Sequence, residues 1–376
     1  MENDNTTIEQ KDIPKKHPHR KYIFAAIVLL LLLTATSIFM LFSYNPAPDK
    51  ASELIIRQAA AKFAGKDQND LTDEDFATIR ILSIHDKELC DIKLLEKFTN
   101  LKELELKDIH FPPDKISKWM KILTKLGIVD LSRRNAIDLR PLKKLSNLKT
   151  LDIRRTHINN IKPLSDLINL QKLDLIDSGI SNLEPIRGLI NLQTLDFSNT
   201  EVSDLEPLRG LTNMQNLWFD HTQISDLEPI KELTNLKQLY LHHTQVSDLE
   251  PLKGLTKLEG IGFCGTQVSD LEPLRDMTNL QSLILMDTQV TNLESLKNPT
   301  SLRTLDIRFT QISNLELLIE CRNLNVLYIG GPKVSNLGPL KGLKNLHHLF
   351  IGSCENITDQ QVEDLKQALP ELKIKH

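Results

Sequence analysis

A single pattern with a strict 22-residue period dominates this chain of 376 residues. One copy runs from Leu192 to Asn213 and reads LQTLDFSNTEVSDLEPLRGLTN. The first residue of the unit recurs without insertion or deletion at Leu126, Leu148, Leu170, Leu192, Met214, Leu236, Leu258, Leu280, Leu302, Leu324 and Leu346. A fixed period of this length indicates a stack of one repeated supersecondary unit, in which each unit packs only on its neighbours. We therefore expect an elongated array with a long binding face instead of a globular domain with one enclosed pocket.

Each copy of the unit begins with a strand pattern. The alternation Leu195-Asp-Phe197 predicts a short strand whose apolar side chains point inward. The spacing L-x-x-L-x-L at this period is the signature of a leucine-rich repeat. We predict an α/β fold: a leucine-rich-repeat solenoid with a curved parallel β-sheet on its concave face, short 3-10 or helical turns on its convex face and helical caps. One transmembrane helix is predicted to precede it.

Polar residues predict how the turns between strands are held. Ser203 to Glu206 has the S-x-x-E form of a capping box, and Pro207 follows where a missing N–H costs little. Thr72 to Asp75 has a similar form ahead of the array. The ninth place of the unit carries threonine, for which we predict a ladder of hydrogen bonds to neighbouring backbone. These residues are Thr156, Thr200, Thr222, Thr244, Thr266, Thr288 and Thr310.

The organisation of the chain follows from where the period starts and stops. The predicted segments are a cytoplasmic tail (1–21), a transmembrane signal anchor (22–44), a linker (45–50), a helical amino-terminal cap (51–78), the repeat array (79–354) and a carboxyl-terminal cap (355–376). Caps are expected because a solenoid exposes its apolar core at each end. The unit that starts at Leu101 is longer than the others, and its segment 116–123 predicts a helix on the convex side.

Residues 22–44 form the predicted membrane anchor. They carry no charge, and at 1.5 Å per residue a helix of this length spans roughly 34 Å, which matches a bilayer core. Lys15, Lys16, Arg20 and Lys21 precede the segment, so the positive-inside rule places the amino terminus in the cytoplasm and the repeats in the periplasm or outside the cell. A cleaved signal peptide is the alternative, although its apolar region is usually 7 to 15 residues long.

Composition limits the classes of partner and the kinds of chemistry expected of the chain. The formal net charge is −4, and lysine and arginine are spread over nearly all units, so we expect no nucleic-acid partner. The four cysteines, Cys90, Cys264, Cys321 and Cys354, lie in different units, and none is expected to reach another within the ~7 Å that a disulfide needs. Cys321 and Cys354 are interpreted as small buried apolar residues. No cofactor is predicted.

Three stretches carry a family resemblance. The unit TxVSDLEPLxGLTNLxxLxL resembles the 22-residue repeats of bacterial internalin-type proteins, and LTDEDFATIRIL before it resembles the helical cap that enters such arrays. The end, SCENITDQQVEDLKQALPELKI, is similar to the terminal unit of other bacterial leucine-rich-repeat proteins. The resemblance covers about residues 70–374 and implies a protein-binding scaffold without catalysis. The amino-terminal anchor and the absence of an LPXTG-type sorting tail differ from wall-anchored members.

The outward places of the strands change character along the array. We expect the third, fifth, seventh and eighth places of each unit to face outward on the concave sheet. The fifth place reads Glu105, Asp130, Asp152, Asp174, Asp196, Trp218, Tyr240, Gly262, Ile284, Asp306, Tyr328 and Phe350. The acidic column repels itself, and Arg133, Arg154, Arg155 and Lys172 can offset it. It is either a solvated feature common to such strands or a site for a basic partner or cation.

The second half of the face is aromatic and apolar where polar residues would be the default. Exposed apolar clusters mark interaction sites, and tryptophan and tyrosine are favoured anchors. We predict a partner-binding surface made of Trp218, Asp220, Tyr240, His242, Ile284, Met286, Arg308, Phe309, Tyr328 and Phe350. Self-association through the same face is the alternative.

One row on this face has chemistry of its own. Asp220, His242 and Cys264 share the seventh place on successive strands, which suits a nucleophile or, with His221 and His243, a metal. No enclosing pocket or oxyanion donor is predicted there. The sequence therefore favours a membrane-anchored bacterial scaffold that binds another protein through its concave face. The alternatives are a self-assembling structural protein of the cell envelope, and an enzyme or metal protein that uses this row.

Overall fold

The computed structural model describes residues 49–89, 91–109, 136–296 and 300–375. Within these residues the chain forms one parallel sheet of 13 strands in sequence order. The strands are β1 Ile81–His85, β2 Glu103–Lys107, β3 Thr150–Asp152, β4 Lys172–Asp174, β5 Thr194–Asp196, β6 Asn216–Trp218, β7 Gln238–Tyr240, β8 Gly260–Gly262, β9 Ser282–Ile284, β10 Thr304–Asp306, β11 Val326–Gly330, β12 His348–Gly352 and β13 Lys373–Lys375. The predicted leucine-rich-repeat solenoid is confirmed.

The register of the sheet repeats the 22-residue period. β2 pairs directly with β3, so Glu105 meets Asp152 and the predicted place of Asp130 between them is wrong. The described residues of 101–147 therefore form one unit instead of two. From β3 to β12 the fourth-place residue of each unit, such as Leu195 of β5 opposite Leu217 of β6, pairs with its equivalent 22 residues further on. These fourth-place side chains are fully buried, as are the rings of Phe197 and Phe219, whose centroids lie 5.6 Å apart. Burying one such side chain stabilises the fold by about 1.5–3 kcal/mol. The inward places thus build one continuous core along the stack.

Short 3-10 helices line the convex side of most units. They span Lys93–Lys97, Arg140–Lys144, Lys162–Asp166, Glu184–Ile186, Glu206–Leu208, Glu228–Ile230, Glu250–Leu252, Glu272–Leu274, Glu316–Glu320 and Gly338–Gly342. The predicted capping box at Ser203–Glu206 is wrong. The cap residue is Leu205 without a side-chain bond, and Asp204 Oδ1 accepts the Glu206 N–H at 2.8 Å instead. Asp204 lies one residue closer to the helix than Ser203, so its carboxylate needs to span only two residues to reach the Glu206 N–H of the tight 3-10 turn.

The predicted threonine ladder is also wrong in most units. The hydroxyl of Thr222 donates to the Phe219 carbonyl of its own turn at 2.8 Å, and Thr244 repeats this bond with Leu241. The hydroxyl reaches its own strand end because the chain turns sharply between the two residues. Only Thr156, which donates to the Leu106 carbonyl of the previous unit, bonds as predicted.

Asparagine at the last place of the unit makes the ladder between units. Asn213 Nδ2 donates to the Ile190 carbonyl at 2.9 Å. The same bond to the preceding unit is made by Asn147, Asn169, Asn191, Asn235, Asn279, Asn323 and Asn345. Asn100 donates in the same way to the Ala77 carbonyl of the amino-terminal cap. The regular recurrence of this asparagine was the sequence signal for the ladder. It satisfies loop carbonyls that have no strand partner.

The chain leaves each strand through a left-handed residue at the eighth place. Asn199 has a φ of 56°, His221 54° and Phe309 57°. Most units place Asp, Asn or Gly here, residues that tolerate this conformation, and the bulkier exceptions are Arg155, His221, His243 and Phe309. The sequence analysis placed these side chains on the concave face, whereas the turn carries most of them to its exposed edge.

Helices stand at both ends of the array. Helix α1 spans Lys50–Ala64 and is capped by Asp49, so it begins within the predicted linker, and α2 spans Asp73–Thr78 with a complete Thr72/Asp75 capping box. Phe76 of α2 packs on Phe98 with centroids 5.0 Å apart. At the other end, α3 spans Asp359–Ala368, and Leu365 is buried against the last units.

Several predictions fall on residues outside the described ones. These are the tail 1–21, the anchor 22–44, the convex helix 116–123, and Cys90, Asp130 and Arg133. In the part of the chain that the structure describes, no helix has the length and apolar character needed to cross a bilayer.

Candidate functional site on the concave face

The fifth-place aspartates are largely covered. Asp152, Asp174 and Asp306 are only 4–5% exposed, although the sequence analysis placed them on an outward face. They do point to that face, but longer side chains on the adjacent strands, about 4.8 Å away, close over a short carboxylate. The acidic column is therefore a set of partly desolvated carboxylates, and the cations that pair with them differ from unit to unit.

At the amino-terminal end of the face the carboxylates are paired. Arg154 donates to both Asp152 oxygens and lies 2.9 Å from Asp174, and Lys107 reaches Asp152 at 3.1 Å. These hydrogen bonds oppose the effect of burial and hold the pKa of Asp152 below its usual range. Arg155, which was expected to help, pairs with Asp108 at 2.6 Å because its left-handed backbone turns it to the edge.

Asp196 has no cationic partner in the part of the chain that the structure describes. Its Oδ1 accepts hydrogen bonds from the Ser198 N–H and hydroxyl at 3.0 and 2.7 Å. Burial nevertheless raises its pKa to about 6, with the charges of Asp174 and Asp220 adding to the shift. Among the described residues, no lysine or arginine lies within ion-pair distance of Asp196 or Asp220. A local excess of negative charge therefore sits where the acidic half meets the aromatic half.

An open depression of about 460 Å³ lies at this junction. Its lining is Arg154, Lys172, Leu173, Asp174, Ile176, Thr194, Asp196, Trp218, Asp220, Tyr240 and His242. Asp196 and Trp218 are cross-strand neighbours in β5 and β6, and Trp218 pairs in the same way with Tyr240 of β7. Both rings are half-buried. The depression thus combines carboxylates with aromatic rings on three consecutive strands.

Strand β8, whose outward residues are Gly260 and Gly262, supports the side chains on the far side of the depression. A Cβ on Gly262 would lie 2.7 Å from Tyr240 Cδ1 and 2.4 Å from His242 Cε1, and one on Gly260 would lie 2.2 Å from Gln238 Oε1. Side chains of β7 therefore lie across β8, and Gly260 and Gly262 are buried beneath them. Tyr240 is held in this pose by a 3.2 Å bond from its hydroxyl to Gln238 Oε1.

The row Asp220, His242 and Cys264 is a hydrogen-bond ladder to backbone. Asp220 Oδ1 accepts the His242 N–H at 2.7 Å, and His242 Nδ1 accepts the Cys264 N–H at 2.8 Å. Each side chain thus satisfies the backbone of the next unit instead of contacting the next side chain. Burial raises the pKa of Cys264 to about 11, so its thiol is protonated at neutral pH. The described residues contain no group of His, Cys, Asp or Glu arranged to hold a metal ion.

The other described cysteines are free as well. Cys321 is buried as predicted, and Cys354 is only half-buried because it lies in the turn after β12. Burial raises the pKa of both thiols, that of Cys321 to about 12.

The carboxyl-terminal part of the face forms a second cluster. The sequence analysis treated this half as aromatic and apolar, but Asp306 and Arg308 interrupt it. The Arg308 guanidinium contacts both Asp306 oxygens and lies 5.0 Å from the centre of the Tyr328 ring. Tyr328 stacks on Phe350 at 4.3 Å, and Lys375 Nζ lies 5.6 Å from the Phe350 ring centre. The aromatic rings here are covered by cations of the same chain.

The predicted surface therefore divides into two groups. Trp218, Asp220, Tyr240 and His242 meet in the depression, and Arg308, Tyr328 and Phe350 meet in the second cluster. Ile284 and Met286 lie half-buried between them, and Phe309 is 49% exposed at the edge. The prediction omitted Asp174 and Asp196, which complete the depression. The sequence signal that could have found them is their place in the repeat, since Asp174, Asp196 and Trp218 occupy the fifth place of successive units.

Comparison with known proteins places the repeats and the fold. The family model described as leucine-rich repeats (2 copies) matches residues 168–210, 190–232 and 212–254. An internalin, InlF, from Listeria monocytogenes superposes with a TM-score of 0.67 at 22% identity over 89% of this chain and 98% of its own. The functional domain of InlJ from Listeria monocytogenes gives 0.65 at 16% identity, covering 85% and 67%. A search of curated protein sequences gives no significant match.

A plant structure shares the architecture. The peptide hormone receptor RGFR1, solved in complex with RGF2, gives a TM-score of 0.57 at 17% identity over 81% of this chain and 47% of its own. These likenesses establish that the chain is built of leucine-rich repeats and has an internalin-like solenoid fold.

Proposed function

We propose that this protein is a membrane-anchored leucine-rich-repeat scaffold that binds another protein through its concave face, without catalysis. The repeat array supports a binding role because a solenoid presents an extended curved surface. The ladder role of His242 and the protonated thiol of Cys264 argue against a nucleophilic site in that row. Among proteins of this fold, RGFR1 is a peptide hormone receptor solved with its peptide RGF2.

The observation that carries the proposal is the depression around Trp218 and Tyr240. Both rings are half-exposed on a face where the neighbouring carboxylates of Asp196 and Asp220 lack cationic partners among the described residues. Tryptophan and tyrosine are enriched among binding hot spots. A protein partner of matching shape and charge would bury both features together.

The compartment follows from the amino-terminal segment. The uncharged stretch 22–44, with basic residues before it, supports an anchor that leaves the repeats on the outer side of a bacterial cytoplasmic membrane. In this orientation the concave face would meet periplasmic or extracellular proteins.

Proximity labelling from the repeat domain of the full-length protein in living cells tests the proposal. We expect a set of labelled proteins that the double variant Trp218→Ala/Tyr240→Ala loses. The control, Ile168→Ala/Ile190→Ala, removes two apolar side chains of 57% and 60% exposure that lie away from the strands. It should retain that set.

Two results would contradict the proposal. One is an unchanged labelled set in the Trp218/Tyr240 variant. The other is light scattering of the purified full-length protein that shows a stable oligomer which this variant dissociates, since the face would then serve self-association.

A further inference from the structure

The second cluster shows how this scaffold holds a guanidinium. Asp306, at the fifth place of its unit, receives Arg308 through both carboxylate oxygens at 2.5–3.1 Å. Tyr328, the cross-strand neighbour of Asp306, presents its ring 5.0 Å from the guanidinium carbon. An aspartate on one strand and an aromatic ring on the next thus clamp one arginine side chain between them.

The depression repeats this arrangement with a tryptophan ring and without the arginine. Asp196 occupies the fifth place, and its cross-strand neighbour on the next strand is the ring of Trp218. The seventh place, which supplies Arg308 in the second cluster and Arg154 in the first paired unit, holds Ser198. Ser198 is short and its hydroxyl bonds to Asp196, so the space over Asp196 and beside Trp218 is open to solvent.

The charge of the depression also favours a cation. In the described structure, Oδ1 of Asp196 and Oδ1 of Asp220 take part in hydrogen bonds, whereas the Oδ2 atom of each has no protein partner. No partnerless side-chain oxygen of the described residues is buried, so both Oδ2 atoms reach solvent. The nearby Arg154 is already committed to Asp152 and Asp174.

We propose that the depression receives the guanidinium of an arginine side chain displayed by the protein partner, held by Asp196 and Asp220 and stacked against Trp218. This inference rests on the proposed function and names the chemistry of its partner. Arginine fits better than lysine because its planar fork bonds to carboxylates with two donors and its face stacks on an aromatic ring. Tyr240, fixed across β8, closes the far side.

A fluorescence titration of the full-length protein tests this inference. The chain has two tryptophans, so a Trp119→Phe background leaves Trp218 as the sole reporter. The probes are N-acetyl-arginine methylamide, the citrulline analogue, which has the same shape without the charge, and the lysine analogue. We expect a saturable change with the arginine probe and at least a tenfold weaker response to the other two.

Ser198→Arg is the decisive variant because it should place the chain's own guanidinium in the site, as Arg308 does on Asp306. It should abolish the response, and Asp196→Asn, which keeps the side-chain shape, should weaken it at least tenfold. The control Thr304→Arg adds the same charge to a distant strand of the same face and should leave the response unchanged.

The inference is overturned if the citrulline or lysine probe matches the arginine probe, or if Ser198→Arg binds normally. Proximity labelling separates it from the proposed function. If a labelled partner is lost with Trp218→Ala/Tyr240→Ala but kept with Ser198→Arg, the arginine inference is wrong and the proposed binding face stands. If both variants keep their labelled partners, the proposed binding face is wrong.

Discussion

The two aspartate–aromatic pairs on the concave face, Asp306 with Tyr328 and Asp196 with Trp218, share one backbone register, but the seventh-place residue beside each pair differs in charge. In the first pair, Arg308 neutralises the aspartate and covers the tyrosine. In the second, Ser198 stands in its place, and burial raises the pKa of Asp196 to about 6. The seventh place of the unit therefore decides whether the charge is balanced within the chain or left for another molecule.

The amino-terminal units support this rule. Arg154, also at the seventh place, spans Asp152 and Asp174, and its hydrogen bonds to Asp152 raise its own pKa. The chain thus balances both ends of its concave face and leaves the middle unbalanced. The middle is also where the glycine strand β8 lets Tyr240 and His242 lie flat against the sheet.

Breaking the balanced pair should give the largest effect. We expect Asp306→Asn to destabilise the protein by about 2 kcal/mol, because Arg308 loses its counter-charge while about two thirds of its side chain stays covered. Urea denaturation followed by circular dichroism measures the change. A shift smaller than that of a surface Asp→Asn variant such as Asp287→Asn would show that the pair contributes no stability.

Disturbing the glycine strand should have a smaller effect confined to the depression. Gly262→Ala should cost about 1–2 kcal/mol because its methyl group would overlap Tyr240 and His242. Gly352→Ala, near the second cluster, is the matched control, since nothing lies within 4 Å of its added carbon. Equal urea midpoints for the two variants would mean that Tyr240 is not held against β8.

Neutralising the unbalanced aspartate should act in the opposite direction to Asp306→Asn, with the smallest effect. The pKa of Asp196 is 3.8 in the unfolded chain and about 6 in the fold, so the folded protein binds more protons between these values and loses stability as pH rises from about 4 to 6. Asp196→Asn removes this loss. The variant should be more stable by about 1 kcal/mol at pH 7.5, after allowance for partial solvent exposure.

The pH dependence distinguishes this origin from a packing effect. Below about pH 3 the Asp196→Asn variant and the parent should unfold at the same urea concentration, because the carboxyl is then protonated in both states. A stability difference that stays constant from pH 3.5 to 7.5 would contradict the charge explanation.

The 22-residue period predicted much of the fold because each inward place makes the same contact in every unit. Leu195 and Leu217 meet in the core as their spacing requires. The turns were predicted less well. Short polar residues have several backbone groups within reach, so the pattern could not tell that Asp204 caps its turn in place of Ser203, or that Asn213 bonds between units where Thr222 does not.

The structure brings four residues of the predicted surface together in one depression, whose lining also includes carboxylates that the prediction left out. Trp218 and Tyr240 stood out as aromatic residues at polar places. Asp196 was assigned to a separate acidic column, because a list of places along the chain does not display which side chains cover one another. The ring contact of Arg308 with Tyr328 was missed for the same reason.

The sequence by itself determined the solenoid and, from β3 onward, its register and the side chains that line each row, since a strict period leaves one way to stack the units. Only the tertiary structure decided which charges are balanced. That depends on distances of a few ångströms between neighbouring strands, on the glycines that let side chains lie down, and on the burial that makes an unpaired carboxylate costly. These quantities belong to pairs of units, and they leave Asp152, Asp174 and Asp306 paired with arginine and Asp196 open.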